Sequence, residues 1–179
     1  MFKDILPIVL RHEGGYVNDP ADRGGATNKG IIQRTYDTYR ANKKLPLQPV
    51  KNITDEEVEE IYHRNYWLDG LCDRMPLALG LVHFDFAVNA GITQAFRTLQ
   101  RVIGTTVDGK FGPKSFSALE EAIRSKGLLN LINEYSDERV VFYVRITENR
   151  ALNLRFLRGW ILRTLSTRDD AQALVTSTT

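Results

Sequence analysis

One cysteine, Cys72, stands in 179 residues, so no intrachain disulfide can form and the fold makes no demand for an oxidising compartment. There are three histidines and no Cys/His cluster, which argues against structural zinc; His63 and His83 lack ligand spacing. Asp108-Gly109 signals a turn and lacks the ligand series of a calcium loop. No metal or other cofactor is expected. No apolar run approaches the ~20 residues of a membrane span. The short apolar stretch Ile5 to Leu10 runs straight into Arg11, His12 and Glu13, where a signal peptide would carry small residues. The expectation is a mature N-terminus, made in the cytoplasm. Charge of one sign is also scarce, since 24 Lys+Arg against 22 Asp+Glu leave +2, too little to imply a nucleic-acid partner. The exception is residues 139–168, with seven arginines (139, 145, 150, 155, 158, 163, 168) against the single acid Glu148. A solvated helix face is the first reading of that run, and a holder of an anionic wall polymer the second.

What is present is helical patterning. Phe2, Leu6, Val9 and Glu13 share one face of a first helix, with Asp4 as its expected cap and Gly14-Gly15 as its expected end. Residues 14–30 are rich in Gly, Asp and Asn, as a structured loop or small hairpin is. A second short helix is expected over 31–40. Thr54-Asp55-Glu56-Glu57 has the form of a capping box, flanked by Ile53 and Val58 as a hydrophobic staple, and predicts a helix from 55 to about 68. The stretch from Leu77 to Ala90 is apolar on all sides, which marks a central helix; Asp85 inside it needs a partner. Helices follow from Thr93 to Ile103, from Pro113 onward, and as one or two long helices over 128–165. The polar, Thr-rich segment 166–179 is expected to be a flexible tail. The fold class is therefore mainly α, with a small loop or hairpin lobe after the first helix.

The loop after the first helix carries the chemistry. Glu13, on a core-facing position just before Gly-Gly, is expected to be partly sheltered yet reachable from a cleft, as the general acid of a hydrolase must be. Asp19 and Asp22 follow, and an acid with a second carboxylate is the minimum equipment for glycoside hydrolysis. Thr27 and Asn28 add a hydroxyl and an amide able to orient water or sugar.

The run Glu13-Gly14-Gly15-Tyr16-Val17-Asn18-Asp19-Pro20, continuing through Asp22, Gly24-Gly25, Thr27 and Gly30-Ile31, resembles the signature of glycoside hydrolase family 108, the N-acetylmuramidases also called secretion activator proteins and related to phage endolysins. Tyr62 to Leu68, Phe84 to Gly91, Leu99 to Lys114 and Phe156 to Arg163 resemble further segments of the same family, the last two its C-terminal peptidoglycan-binding region. The resemblance implies a lysozyme-like fold with Glu13 as catalytic acid. It implies a catalytic region over 1–92, a helical peptidoglycan-binding-type region over 93–165 packed on it, and peptidoglycan glycan strands as the partner. It also implies action at the cell wall after holin-type or other export, and a monomer is the expected state. Similar phage enzymes place an Asp and a Thr on a hairpin after the catalytic helix. Asp22 with Thr27 suits that order, and Asp19 is the alternative.

Tyr16, three residues after the acid, and Tyr66 and Trp67 are candidate glycan contacts, because sugars stack on aromatic faces. Aromatics at helical spacing are also core candidates. Asn89, at the end of the central helix, is a cleft candidate with a C-cap as its alternative. Three functions remain open on sequence: a muramidase, a lytic transglycosylase using Glu13 alone, and a non-catalytic wall-binding or secretion-assisting protein.

Overall fold

The computed structural model describes residues 2–18 and 25–177. Among them are eight α-helices and one two-stranded sheet, a mainly α, lysozyme-like arrangement. The chain divides into two compact units, Met1–Asn65 and Tyr66–Thr179.

In the first unit, α1 (Phe2–Leu10) buries Ile5, Leu6 and Val9. It begins two residues before Asp4, so Asp4 lies in its first turn and is not its cap. It also ends earlier than the periodicity predicts. The chain winds on through tighter turns, in which the His12 N–H donates to the Val9 carbonyl and the Glu13 N–H to that of Leu10, both at 3.1 Å. Glu13 is thus presented by a turn that extends the helix.

The lobe that follows is a hairpin, β1 (Thr27–Asn28) antiparallel to β2 (Ile31–Ile32). Lys29 and Gly30 join the strands with φ of 48° and 75°, the two positive values that a tight two-residue turn requires. A bridge from Val17 to Thr27, with 2.8 Å hydrogen bonds in both directions, ties the segment after Glu13 to the hairpin. Helix α2 (Gln33–Asn42) and a short 3-10 turn (Val50–Asn52) lead to α3 (Asp55–Tyr62). The capping box is formed: the Glu57 N–H donates to Thr54 Oγ1 and the Thr54 N–H to Glu57 Oε2, a motif worth about 1 kcal/mol. Ile53 and Val58 are both buried. The predicted helix to residue 68 is continuous, but its last part, His63–Leu68, widens into a π-helical segment.

In the second unit, α4 (Leu77–Ala90) is buried without a break from Ala78 to Ala87. It is packed by α5 (Ile92–Val102), α7 (Leu128–Glu148) and α8 (Leu154–Thr176), while α6 (Pro113–Lys126) packs on α7. Because a helix apolar on every side needs cover on every side, α4 falls with the helices after it. The compact units accordingly divide at 65/66.

Two expectations are corrected here. The arginine run is not one solvated face. Arg139 and Arg163 are buried on either side of Asp85, with Arg139 Nη2 at 2.7 Å from Oδ2, and Arg163 Nε and Nη2 at 2.8 and 2.7 Å from Oδ1. Burial alone would push the Asp85 carboxyl up; the two guanidiniums outweigh it and hold the group below its ordinary value. The segment from 166 is not a flexible tail either, for α8 continues to Thr176. Thr167 and Ala171 are buried, and the Gln172 side-chain amide donates to Asn133 Oδ1 at 2.7 Å. Small threonines and alanines let this last stretch lie close to its neighbours, so packing overrides weak helix propensity.

His83, fully buried beside the Tyr135 hydroxyl at 2.8 Å, is pushed from 6.5 to about 3 by desolvation. Its depressed value means that folded protein keeps the ring neutral while unfolded chain takes up a proton. The His83 contribution is therefore whole above pH 6.5 and is lost as pH falls from 6.5 toward 3. Thermal melts across that window should show a steady fall in midpoint, and the slope should flatten in His83→Gln relative to the parent. Loss of Asp85 charge adds to the fall only below 3.8.

Candidate active site

Three pieces of the first unit converge on one point. The turn after α1 brings the half-buried Glu13, the hairpin brings Gly30, and the last residue of α3 brings Tyr62. A Cβ placed on Gly30 would stand 2.6 Å from Glu13 Oε2 and 2.5 Å from Tyr62 Oη, so the carboxyl and the phenol close on a bare Cα. The Tyr62 hydroxyl donates to the Lys29 carbonyl at 2.8 Å, which pins the hairpin turn to α3. Gly30 is required twice over, by its φ of 75° and by the lack of room for a side chain.

Gly30→Ala should consequently cost about 1–3 kcal/mol in backbone strain and displace the Glu13 carboxyl. A misplacement of about 1 Å can lower turnover ~10²-fold. Wall-clearing assays and thermal melts on the same preparation would measure both effects; an alanine variant with native turnover would show that the close approach is irrelevant to activity.

The other residues of this unit are placed as follows. Thr27, half-buried, is held by the bridge to Val17, and its hydroxyl lies 3.4 Å from the Gly25 carbonyl. The Asn28 side-chain amide donates to the carbonyls of Val50 and Lys51 at 3.2 and 3.4 Å, clamping the hairpin to the 3-10 turn. Tyr16 is 42% exposed, and the Lys51 ammonium sits 5.8 Å from its ring centroid. An exposed ring of this kind has a face to offer a sugar. Asp19 and Asp22 lie outside the described residues.

Of the candidates in the second unit, Tyr66 is half-buried. Trp67 is corrected to a core residue. Only 3% of it is exposed, it packs edge-on against Phe84 with centroids 5.6 Å apart, and it has no face left for a glycan. Asn89 accepts a hydrogen bond from the Tyr143 hydroxyl through Oδ1, which ties α4 to α7.

Gly30 and Tyr62 were not among the residues picked out for chemistry. The signal for Gly30 was the Asn28-Lys29-Gly30-Ile31 turn pattern, whose last positive-φ position admits little else. Tyr62 carried no such signal, for it shares the apolar side of α3 with Val58 and Ile61, and only its hydroxyl separates it from core.

Known proteins bear on this site. The model of the glycosyl hydrolase 108 family matches residues 6–91, which include Glu13, Gly30 and Tyr62, and that of a predicted peptidoglycan domain matches residues 94–165. The solved structure of Brucella abortus SagA is similar over 96% of this chain and 94% of its own, at 32% identity and a TM-score of 0.77. No curated protein sequence matches the chain.

Proposed function

The chain belongs to the glycosyl hydrolase 108 family, and from that membership we propose that it is an N-acetylmuramidase. With a peptidoglycan domain following the hydrolase region, it is a peptidoglycan hydrolase. The bond cleaved is the β-1,4 link between N-acetylmuramic acid and N-acetylglucosamine, and Glu13 is the general acid. The observation that carries this reading is the Glu13 carboxyl held against the bare Cα of Gly30 beside the Tyr62 hydroxyl.

Glu13 delivers its proton to the glycosidic oxygen as the bond to the muramyl anomeric carbon breaks, and positive charge develops on that sugar ring. A second carboxylate, Asp22 or Asp19, stabilises that charge or activates the incoming water. The Thr27 hydroxyl orients the water, and Tyr16 stacks on a neighbouring sugar. Asn28 acts by holding the hairpin in place. The enzyme meets its substrate at the cell wall, reached after holin-type or other export; no helix among the described residues is long and apolar enough to cross a membrane.

Mass spectrometry of fragments released from purified peptidoglycan tests the proposal. Hydrolysis at the muramyl carbon leaves reducing-end muramic acid. Predominantly 1,6-anhydro ends, lighter by one water, would replace the hydrolase with a lytic transglycosylase and remove any catalytic part for Asp22. Fragments with reducing-end N-acetylglucosamine would move the cut to the other glycosidic bond.

A further inference from the structure

With Arg139 and Arg163 committed to Asp85, the arginines left at the surface gather where α7 ends and α8 begins. Arg145, Arg150, Arg155 and Arg158 are exposed, and none of them has an ion-pair partner among the described residues. Large aliphatic side chains stand among them: Leu152, Leu154 and Leu162 are 76, 62 and 50% exposed.

The arrangement on α8 is ordered. Leu154, Arg158 and Leu162 follow at intervals of four and so share one face. The buried residues Arg163, Thr164, Thr167 and Ala171 define the opposite face. An outward stripe that alternates leucine with arginine gives nothing to the core, and it offers apolar contact and positive charge on one surface.

We propose that this corner of the second unit docks on an anionic lipid bilayer, with its leucines at the acyl boundary and its guanidiniums on headgroup phosphates. Charge selects this occupant. A second copy of the chain would bring four guanidiniums against four, with Glu148 the only carboxylate of residues 139–168 to offset them. A glycan strand presents hydroxyls, amides and carboxylates and offers no apolar phase to three exposed leucines. A bilayer surface supplies both an apolar layer and negative charge, which is what a helix with leucine and arginine on one outward face takes up. The inference does not rest on the assignment of Glu13.

The test is co-sedimentation of the full chain with phosphatidylcholine vesicles, with and without phosphatidylglycerol. Binding is expected only with the anionic lipid, weakening as salt rises toward the range where surface charges are screened. Two double variants, Leu154→Gln with Leu162→Gln and Arg155→Gln with Arg158→Gln, should each bind at least tenfold more weakly while melting like the parent. Absence of binding to the anionic vesicles, or undiminished binding by both variants, overturns the proposal. So does a dimer in gel filtration that the leucine variant dissolves, or retention on purified wall sacculi that the same variant abolishes.

Discussion

Glu13→Gln is expected to lower fragment release from peptidoglycan by at least ~10²-fold, the usual contribution of a general acid, without lowering the melting temperature. Glutamine reproduces the length and shape of the side chain, so it can occupy the same space against Gly30 and Tyr62. It has no proton to give a departing alkoxide. Because the change is close to isosteric and the site is half-buried, the hydrogen-bonded turn that presents residue 13 should survive. A fall in turnover accompanied by an unchanged melt separates loss of chemistry from loss of fold. Turnover at the native rate would take Glu13 out of the mechanism. Glu13→Asp offers a graded control, since it keeps the proton but draws it back by one methylene.

The largest effect on stability is expected at Asp85. Asp85→Ala would leave two guanidiniums facing each other in a fully buried site, and breaking a buried pair by removing one partner costs about 3–5 kcal/mol. Against a total stability of roughly 5–15 kcal/mol, such a loss can unfold the second unit at ordinary temperature. Urea melts would measure it. Asp85→Asn should be less severe, since an amide oxygen still accepts from one arginine, and Arg145→Gln, at an exposed position, should stay within about 0.5 kcal/mol. A urea midpoint for Asp85→Ala equal to that of the parent would mean that the three charges contribute nothing net.

How far these sites could be seen in the sequence differs by the range of the contact that makes them. The α3 start was legible because Thr54 and Glu57 bond to each other's backbone within four residues. The central α4 was legible because its composition is apolar on every side. Glu13 stood out through its local motif. Gly30 against Glu13 depends on a loop folding back over a distance that no periodicity encodes. The partners of Asp85 lie 54 and 78 residues away on two other helices, so the need for counter-charge was visible while its source was hidden among seven similar arginines. The C-terminal stretch misled for a related reason. Its threonines lower local helix propensity, and what holds them in a helix is contact with α4 and α7.

The 78 residues between Asp85 and Arg163 also set an order of events during synthesis. At ribosomal rates of 5–20 residues per second, Arg163 is added roughly 4–16 s after Asp85. Until then the most apolar helix of the chain has neither its complete counter-charge nor the cover of α8. The first unit, whose Glu13 carboxyl closes on groups no more than 49 positions further along, is made whole before the second begins. That nascent interval is where this protein is most exposed to aggregation and to chaperones.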